Sequence, residues 1–226
     1  MQLLWIFTGA MSLFITFEGI EGSGKTTQIS RLATHLRSQG LEVVQTREPG
    51  GCRVADAIRG ILLDSDNAGL APTAELLLYA AARRQHVEEV IQPALAADQV
   101  VLCDRFTDAT LAYQGYGRGL SLELIENLNT LAGAGLCPDL TLLFELPVEI
   151  GLNRALRRIE NATGPAEDRF EQESLAFHER VRQGYLTLAE RNPHRYRLLA
   201  AEAHPDQVFA QAVKIVDKIL IKRQGL

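Results

Sequence analysis

A glycine-rich stretch near the start of the chain is the clearest place where residue types and spacing could do chemistry. It reads Gly19-Ile20-Glu21-Gly22-Ser23-Gly24-Lys25-Thr26 and is followed by Thr27. Its glycines permit backbone angles that turn several N–H groups inward around an anion. Lys25 can then reach a phosphate group, and the hydroxyl of Thr26 can bind Mg²⁺. The pattern predicts a loop that holds a nucleoside triphosphate with Mg²⁺, and we expect ATP.

A second chemical signal is the pair Asp104 and Arg105, which directly follows the apolar run Val100–Cys103. A carboxylate at a strand end near the loop can hold a metal-bound water, and an arginine beside it can hold a second phosphate group. The N-K-x-D base-reading motif of GTPases does not occur in the chain. Ring ATPases and motors are usually longer and carry an Asp-Glu pair at this place. These observations argue against a GTPase, a motor and a ring ATPase.

The elements that must position these residues alternate between strand and helix. Nearly continuous apolar runs predict strands over Ser12–Glu18, Leu41–Thr46, Gln99–Cys103, Leu140–Leu146 and Tyr196–Leu199. Helical patterns cover Lys25–Gln39, Arg53–Leu63, Thr73–Ala97, Leu122–Ala132, Val148–Ile159, Gln172–Arg191 and Asp206–Lys222. We therefore predict an α/β fold, with a five-stranded, mostly parallel sheet and helices on both faces.

Length and composition suit a single domain. The chain has 226 residues, 46% of them apolar, which is enough for a sizeable core. We expect one domain over residues 12–226, with a short mobile lid at about residues 154–170. Residues 1–11 read as an extension or a misassigned start, because a second methionine, Met11, stands directly before the first strand.

Charge and cysteine content narrow the partners. A formal charge of −5 argues against a protein that coats nucleic acid, although local arginines can still hold a small anionic substrate. The uncharged first seventeen residues lack the basic start of a signal peptide and are short for a membrane span. Three widely spaced cysteines indicate reduced thiols. We expect a cytoplasmic protein with no membrane or nucleic-acid partner.

Five segments of the chain occur in the order seen in thymidylate kinases, and the chain resembles the bacterial type of that family. They are "EGIEGSGKTTQ", "TREPGG", "ELLLYAAARRQHVEEVIQPAL", "DRFTDATLAYQG" and "PDLTLLFELPVEIGLNRALRR". The resemblance runs from Phe14 to about Leu188. It implies a P-loop NTPase fold, phosphoryl transfer from Mg²⁺-bound ATP to dTMP to give dTDP, and a homodimer.

The resemblance also implies where the acceptor dTMP is held. Tyr79 stands where an aromatic ring stacks on thymine, Arg83 where an arginine donates to a thymine carbonyl, and Thr110 where a polar group reads the base edge. Tyr113 stands where bulk disfavours a 2′-hydroxyl. The remaining acceptor residues are Glu21 near the sugar, Arg47 and Pro49 near the nucleotide, Arg105 at the phosphate, and Gln114.

The catalytic and metal residues follow from the same resemblance. The implied catalytic residues are Lys25, Arg105, Arg154, Arg157 and Arg158, the last three from a lid. Thr26 and Asp104 are the implied metal residues. The five histidines show no ligand spacing, and we give them no catalytic role.

The chain departs from the family pattern at three positions, where Cys52 replaces a threonine, Ala109 a serine and Tyr79 a phenylalanine. None of them removes a group that the reaction must have. Two alternatives stay open: a kinase for another nucleoside monophosphate, such as dUMP, UMP or AMP, and a non-catalytic ATP-binding module. The sequence is silent on membership of a larger assembly.

Overall fold

The computed structural model describes residues 11–160 and 169–223. The strands are β1 (Leu13–Glu18), β2 (Val43–Arg47), β3 (Val100–Asp104), β4 (Leu140–Glu145) and β5 (Tyr196–Ala200). The helices are α1 (Lys25–Ser38), α2 (Arg53–Leu63), α3 (Pro72–His86), α4 (Gln92–Ala96), α5 (Thr107–Thr110), α6 (Leu122–Ala132), α7 (Val148–Glu160), α8 (Leu175–Arg191) and α9 (Pro205–Arg223). A 3₁₀ turn covers Ser65–Asn67, and π-helical segments cover Val87–Ile91 and Leu111–Gly117.

The five strands form one sheet in the order β2-β3-β1-β4-β5, and every neighbouring pair is parallel. This confirms the predicted α/β class. Parallel strands place their carboxyl ends at one edge, where a ligand usually binds. The register sets Asp104 opposite both Phe17 and Arg47 at this edge. The glycine loop, Asp104 and the segment after Arg47 therefore meet there.

Helices cover both faces of the sheet. Leu13 and Ile15 of β1 lie in a cluster with Ile29, Leu32 and other residues of α1. Phe14, on the opposite face, lies in a second cluster with Val87 and Ile91, which follow α3. All six residues of β1 are buried. Burial on both faces explains why this strand reads as an unbroken apolar run.

One long predicted helix, Thr73–Ala97, is interrupted in the structure. An α-helix ends at His86, a π-helical segment follows over Val87–Ile91, and α-helix resumes at Gln92. Pro93 has no N–H and its ring clashes with the carbonyl four residues back, which a local widening of the helix relieves. The other predicted elements have nearly the observed bounds. The helix expected from Gln172 begins at Leu175, because the side chain of Ser174 caps it by accepting from the N–H of Phe177.

Helical structure over residues 107–117 is not indicated by the sequence pattern. Two of its residues, Gly115 and Gly117, are poor helix formers. Packing explains why glycine stands at both positions, because a Cβ on Gly115 would lie 2.5 Å from Leu122 and one on Gly117 would lie 2.7 Å from Phe177. Close contact with α6 and α8 therefore determines the helical conformation of this segment.

Two predictions fall partly outside the described residues. Residues 161–168, the centre of the expected lid, and residues 1–10 of the expected extension are not among them. Met11 is described and is buried in the main core. Within the described ranges, no helix has both the length and the apolar character that crossing a bilayer requires.

Candidate active site

The glycine loop curls around its own lysine. Gly22 and Gly24 have φ angles of +68° and +86°, in the left-handed region that glycine occupies at no steric cost. Lys25 Nζ donates to the carbonyls of Gly19 (3.0 Å) and Ile20 (2.8 Å) and to Ser23 Oγ (3.1 Å). Burial, with the nearby charge of Arg105, lowers the pKa of Lys25 to about 8. An anionic ligand beside this ammonium group would offset that burial.

Two oxygen groups lie where a divalent cation could bind. Thr26 Oγ1 is 3.2 Å from Asp104 Oδ2, at the mouth of the loop. A hydroxyl and a carboxylate are hard oxygen ligands of the kind that Mg²⁺ accepts, with phosphates and waters completing its octahedron. No group of three or more His, Cys, Asp or Glu side chains that could cage a metal occurs among the described residues. The residues present fit a metal that arrives with a nucleotide.

Arg105 lies beside the glycine loop and contacts it through Glu21. Its φ of +68° is unusual for a residue with a side chain. Nη1 donates to the hydroxyl of Tyr185 (3.1 Å), and Nη2 donates to Glu21 Oε1 (3.0 Å). Its guanidinium carbon lies 4.7 Å from the ring centre of Tyr113. The arginine is therefore held on three sides before any ligand binds.

Glu21 joins the loop to this arginine. The Tyr113 hydroxyl also donates to Glu21 Oε1, at 2.5 Å. Burial by itself would raise the pKa of Glu21, but Arg105, His178, Tyr113 and Lys25 together lower it well below its usual range. Glu21 is therefore an ionised carboxylate at neutral pH.

At the other end of the site, Arg83 lies in a closed cage of acceptors. Its Nε donates to Glu48 Oε2 (2.7 Å) and Nη1 to Asn129 Oδ1 (2.6 Å), while Nη2 donates to Phe106 O (3.1 Å) and Thr110 Oγ1 (2.9 Å). Four of its five N–H donors thus have partners within the described chain. The fifth is left for a ligand. Since Thr110 accepts from Arg83, its own proton is left to donate.

The residue after β2 shapes the wall beside this cage. The Glu48–Pro49 peptide bond is cis. Glu48 Oε1 is 3.0 Å from Nδ1 of buried His86, which fixes the carboxylate that holds Arg83. Arg47 pairs with Asp56 at 3.1 Å and is more than half exposed. Arg47 is thus free to turn toward a ligand at little cost.

Aromatic rings line the middle of the site. Tyr79 lies 6.5 Å from Phe170 between ring centres, and Tyr113 lies 5.6 Å from the same ring. Gln114 donates to Glu75 Oε1 at 2.8 Å, and Glu75 also pairs with Arg118 and Arg169. These contacts order the segment that carries Thr110, Tyr113 and Gln114.

The arginines of α7 differ in their positions. Arg154 lines the site and donates to Ala201 O at 3.2 Å, and Arg158 lines it while facing Glu171 at 3.4 Å. Arg157 is not among the residues that line the site. The structure therefore brings two of the three predicted lid arginines to the site.

Together these residues line one cleft of about 1110 Å³, above the roughly 300–1,000 Å³ of a pocket for one drug-sized ligand. It has room for two nucleotides end to end. The predicted residues on its wall are Glu21, Gly22, Ser23, Gly24, Lys25, Thr26, Thr27, Arg47, Pro49, Tyr79, Arg83, Asp104, Arg105, Thr110, Tyr113, Gln114, Arg154 and Arg158. Gly19 and Ile20 lie behind it and contribute the carbonyls that hold Lys25.

Sequence reasoning missed the residues that support this wall. Glu18 is fully buried and accepts from the Tyr185 hydroxyl (2.8 Å) and from Phe106 N–H (2.8 Å). Burial, reinforced by Asp108, raises the pKa of Glu18 to about 8. A carboxylate that ends an apolar strand was a usable signal. Glu48 and Phe170 carried no such signal, because only the fold brings them to the site.

The comparisons with known proteins agree with one another. The family model for thymidylate kinase matches residues 17–212. The chain is similar to the thymidylate kinase of Geotalea uraniireducens, with 62% identity over 84% of this chain and 89% of that one. It is 59% identical to the thymidylate kinase of Geobacter sulfurreducens, over 93% of this chain and 97% of that one.

A solved structure carries the same fold. The crystal structure of thymidylate kinase from Ehrlichia chaffeensis aligns with a TM-score of 0.72 at 35% identity, over 91% of this chain and 99% of that one. The sheet order, the glycine loop at the end of β1 and the arginine-lined cleft therefore have a common explanation. The chain belongs to the thymidylate kinase family.

Proposed function

We propose that the chain transfers the γ-phosphoryl group of ATP to the 5′-phosphate of dTMP, giving dTDP for dTTP synthesis, within the cleft described above. The observation that supports this most directly is that one cleft joins a phosphate-binding loop to a cage of base-reading donors, Arg83 and Thr110. A module that only binds ATP needs the first part and not the second.

The chemistry needs positioning and charge neutralisation rather than a protein nucleophile. An oxygen of the acceptor phosphate attacks the γ-phosphorus in line. Lys25 and the loop N–H groups hold the donor phosphates, and Arg105 holds the acceptor phosphate. Arg154 and Arg158 lie where they can stabilise charge on the transferring group. Thr26 and Asp104 would hold Mg²⁺, which when bound neutralises charge on the donor phosphates.

The choice of acceptor follows from the other end of the cleft. Tyr79 offers a ring face to the base, while Arg83 and Thr110 offer donors to carbonyl oxygens. Tyr113 is 5% exposed and is held by Glu21 and by neighbouring aromatic rings. A ring that cannot move aside disfavours a 2′-hydroxyl beside it. These residues favour a thymine-like base on deoxyribose.

The test is an ADP-release assay with Mg²⁺, ATP and a panel of nucleoside monophosphates. We expect fast turnover with dTMP, weaker turnover with dUMP, and almost none with UMP or AMP. If another monophosphate is preferred, the proposed phosphoryl transfer still holds, but the roles proposed for Tyr79, Arg83 and Tyr113 are wrong. If ATP binds and no monophosphate is phosphorylated, the chain is a binding module. Lys25→Ala should nearly abolish turnover.

We further propose a cytoplasmic homodimer that acts without a nucleic-acid partner. The support for a dimer is that exposed leucines lie on two helices that pack together: Leu77 on α3, and Leu124 and Leu131 on α6. Leu131 is 73% exposed in the single chain. The free cysteines support a cytoplasmic location. The net charge of −5 supports the absence of a nucleic-acid partner.

A further inference from the structure

His178 is a buried histidine whose ring makes no hydrogen bond to the described part of the chain. It lies on α8 and is 1% exposed. Neither Nδ1 nor Nε2 has a hydrogen-bond partner among the described residues. Burying a polar group without a hydrogen bond destabilises a folded protein. A phenylalanine of similar shape would avoid that cost, so the imidazole calls for an explanation.

Glu21, which lies close to His178, also has an atom without a hydrogen-bond partner among the described residues. Its Oε1 accepts from both Arg105 and Tyr113, whereas its Oε2 is buried and without a hydrogen-bond partner in the described part of the chain. Nδ1 of His178 lies 3.7 Å from this Oε2. An unpartnered acceptor therefore faces an unpartnered ring nitrogen, and a shift of about 0.8 Å would bring them to hydrogen-bond distance.

The placement of His178 on its helix ties it to the cleft. His178, Val181 and Tyr185 are spaced i, i+3 and i+7, so they share one face of α8, and all three are buried. Tyr185 on that face accepts from Arg105 and donates to Glu18. His178, one end of the same face, lies against the other partner of Arg105, which is Glu21. The face of α8 thus supports Arg105 by two routes.

We infer that His178 is a positioning residue, which donates from Nδ1 to Glu21 Oε2 and so holds the carboxylate that orients Arg105 and the acceptor nucleotide. His178 does not itself line the cleft. The inference deepens the proposed function, on which the kinetic part of its test rests. Because Glu21 belongs to the acceptor end of the site, the effect should appear in the KM for dTMP rather than in that for ATP.

The test compares His178→Asn with His178→Leu. The amide nitrogen of asparagine reproduces the position of Nδ1, whereas leucine keeps bulk and removes the donor. We expect His178→Leu to raise the KM for dTMP about tenfold while the KM for ATP changes less than twofold. His178→Asn should stay within threefold of the parent. His35→Leu is the matched control. His35 does not line the cleft and lies 3.0 Å from Asp217, so this variant should leave both KM values unchanged.

Equal KM values for dTMP in the parent and in a folded His178→Leu variant would overturn the inference. So would an asparagine variant as impaired as the leucine variant. A second measurement does not depend on turnover: ¹⁵N spectra of the five histidines, with His178 assigned by its variant. We expect His178 to carry its proton on Nδ1 and its signals to move in Glu21→Gln. A proton on Nε2 alone would overturn the inference even if dTMP proves not to be the substrate.

Discussion

At the scale of single residues, the site is held ready by contacts made within the chain. Arg105 shows this most clearly, because its backbone occupies the left-handed region and its guanidinium is fixed by Glu21 and Tyr185. A non-glycine residue in that region costs of order 1–3 kcal/mol. The fold keeps this strain at the arginine for which we propose a role in binding the acceptor phosphate.

Comparing Arg105→Ala with Arg105→Gly separates strain from chemistry. Both variants lose the guanidinium, and we expect kcat/KM for dTMP to fall about 10²–10³-fold in each. Glycine relieves the strain that alanine keeps, so Arg105→Gly should be more stable than Arg105→Ala by about 1 kcal/mol. Urea unfolding and steady-state kinetics measure the two effects. Equal stabilities would contradict the strain, and near-normal activity would contradict the role of Arg105.

Glu18 makes stability depend on pH. Its pKa is raised from 4.5 to about 8 by burial, so between these values the folded chain holds a proton that the unfolded chain has released. Stability from this group is complete below about pH 4.5 and is lost as the pH rises toward 8, by at most about 1.4 kcal/mol per pH unit. Glu18→Gln removes this dependence.

The measurement is the free energy of unfolding of both proteins at pH 5, 6, 7 and 8. We expect the parent to lose stability relative to Glu18→Gln as the pH rises, because the other titrating groups are common to both. A difference that stays constant over this range would show that Glu18 does not hold the extra proton.

At the scale of elements, the glycine loop depends on α7 as well as on its own glycines. Gly151 of α7 lies directly against the loop, and a Cβ there would lie 2.6 Å from Glu21 O and 2.9 Å from Ile20 Cδ1. The helix can lie this close only because that residue has no side chain. The same helix carries Arg154 and Arg158, so the loop and these two arginines share one support.

Gly151→Ala tests this coupling. We expect the loop to be displaced, with kcat/KM for ATP reduced at least tenfold and with a loss of stability of about 1–3 kcal/mol from overpacking. Gly60→Ala in α2 is the control, since a Cβ there meets nothing within 4 Å and should raise stability by about 0.5–1 kcal/mol. If the two variants have the same kcat/KM for ATP and the same stability, the contact between α7 and the loop does not contribute to function.

At the scale of the whole molecule, the exposed leucines of α3 and α6 bear on assembly. Large apolar side chains on neighbouring helices are typical of a surface that another chain covers. Leu131→Glu should give a monomer, because a charge cannot be buried there without a partner. Leu175→Glu, at a leucine of α8 that is 49% exposed, is the control and should keep the parent mass. Light scattering on a sizing column measures both, and a dimeric Leu131→Glu variant would contradict the proposed interface.

Much of this protein follows from local sequence. The alternation of apolar runs and helical patterns determines the α/β class, since strands buried on both faces need unbroken apolar residues. The glycine loop determines the phosphate site, because its chemistry lies in consecutive backbone groups and in Lys25. These features depend on neighbours along the chain, so one sequence suffices to predict them.

Contacts between residues that are far apart in the sequence depend on the tertiary structure alone. The strand order brings Glu18 beside Phe106 and Tyr185, and it brings Glu48 to Arg83, across separations that no local pattern encodes. Packing of Gly115 and Gly117 against other helices imposes a helical segment that their propensities oppose. The pairing of His178 with Glu21 is of the same kind, because burial removes both groups from water and the fold determines which partner remains within reach.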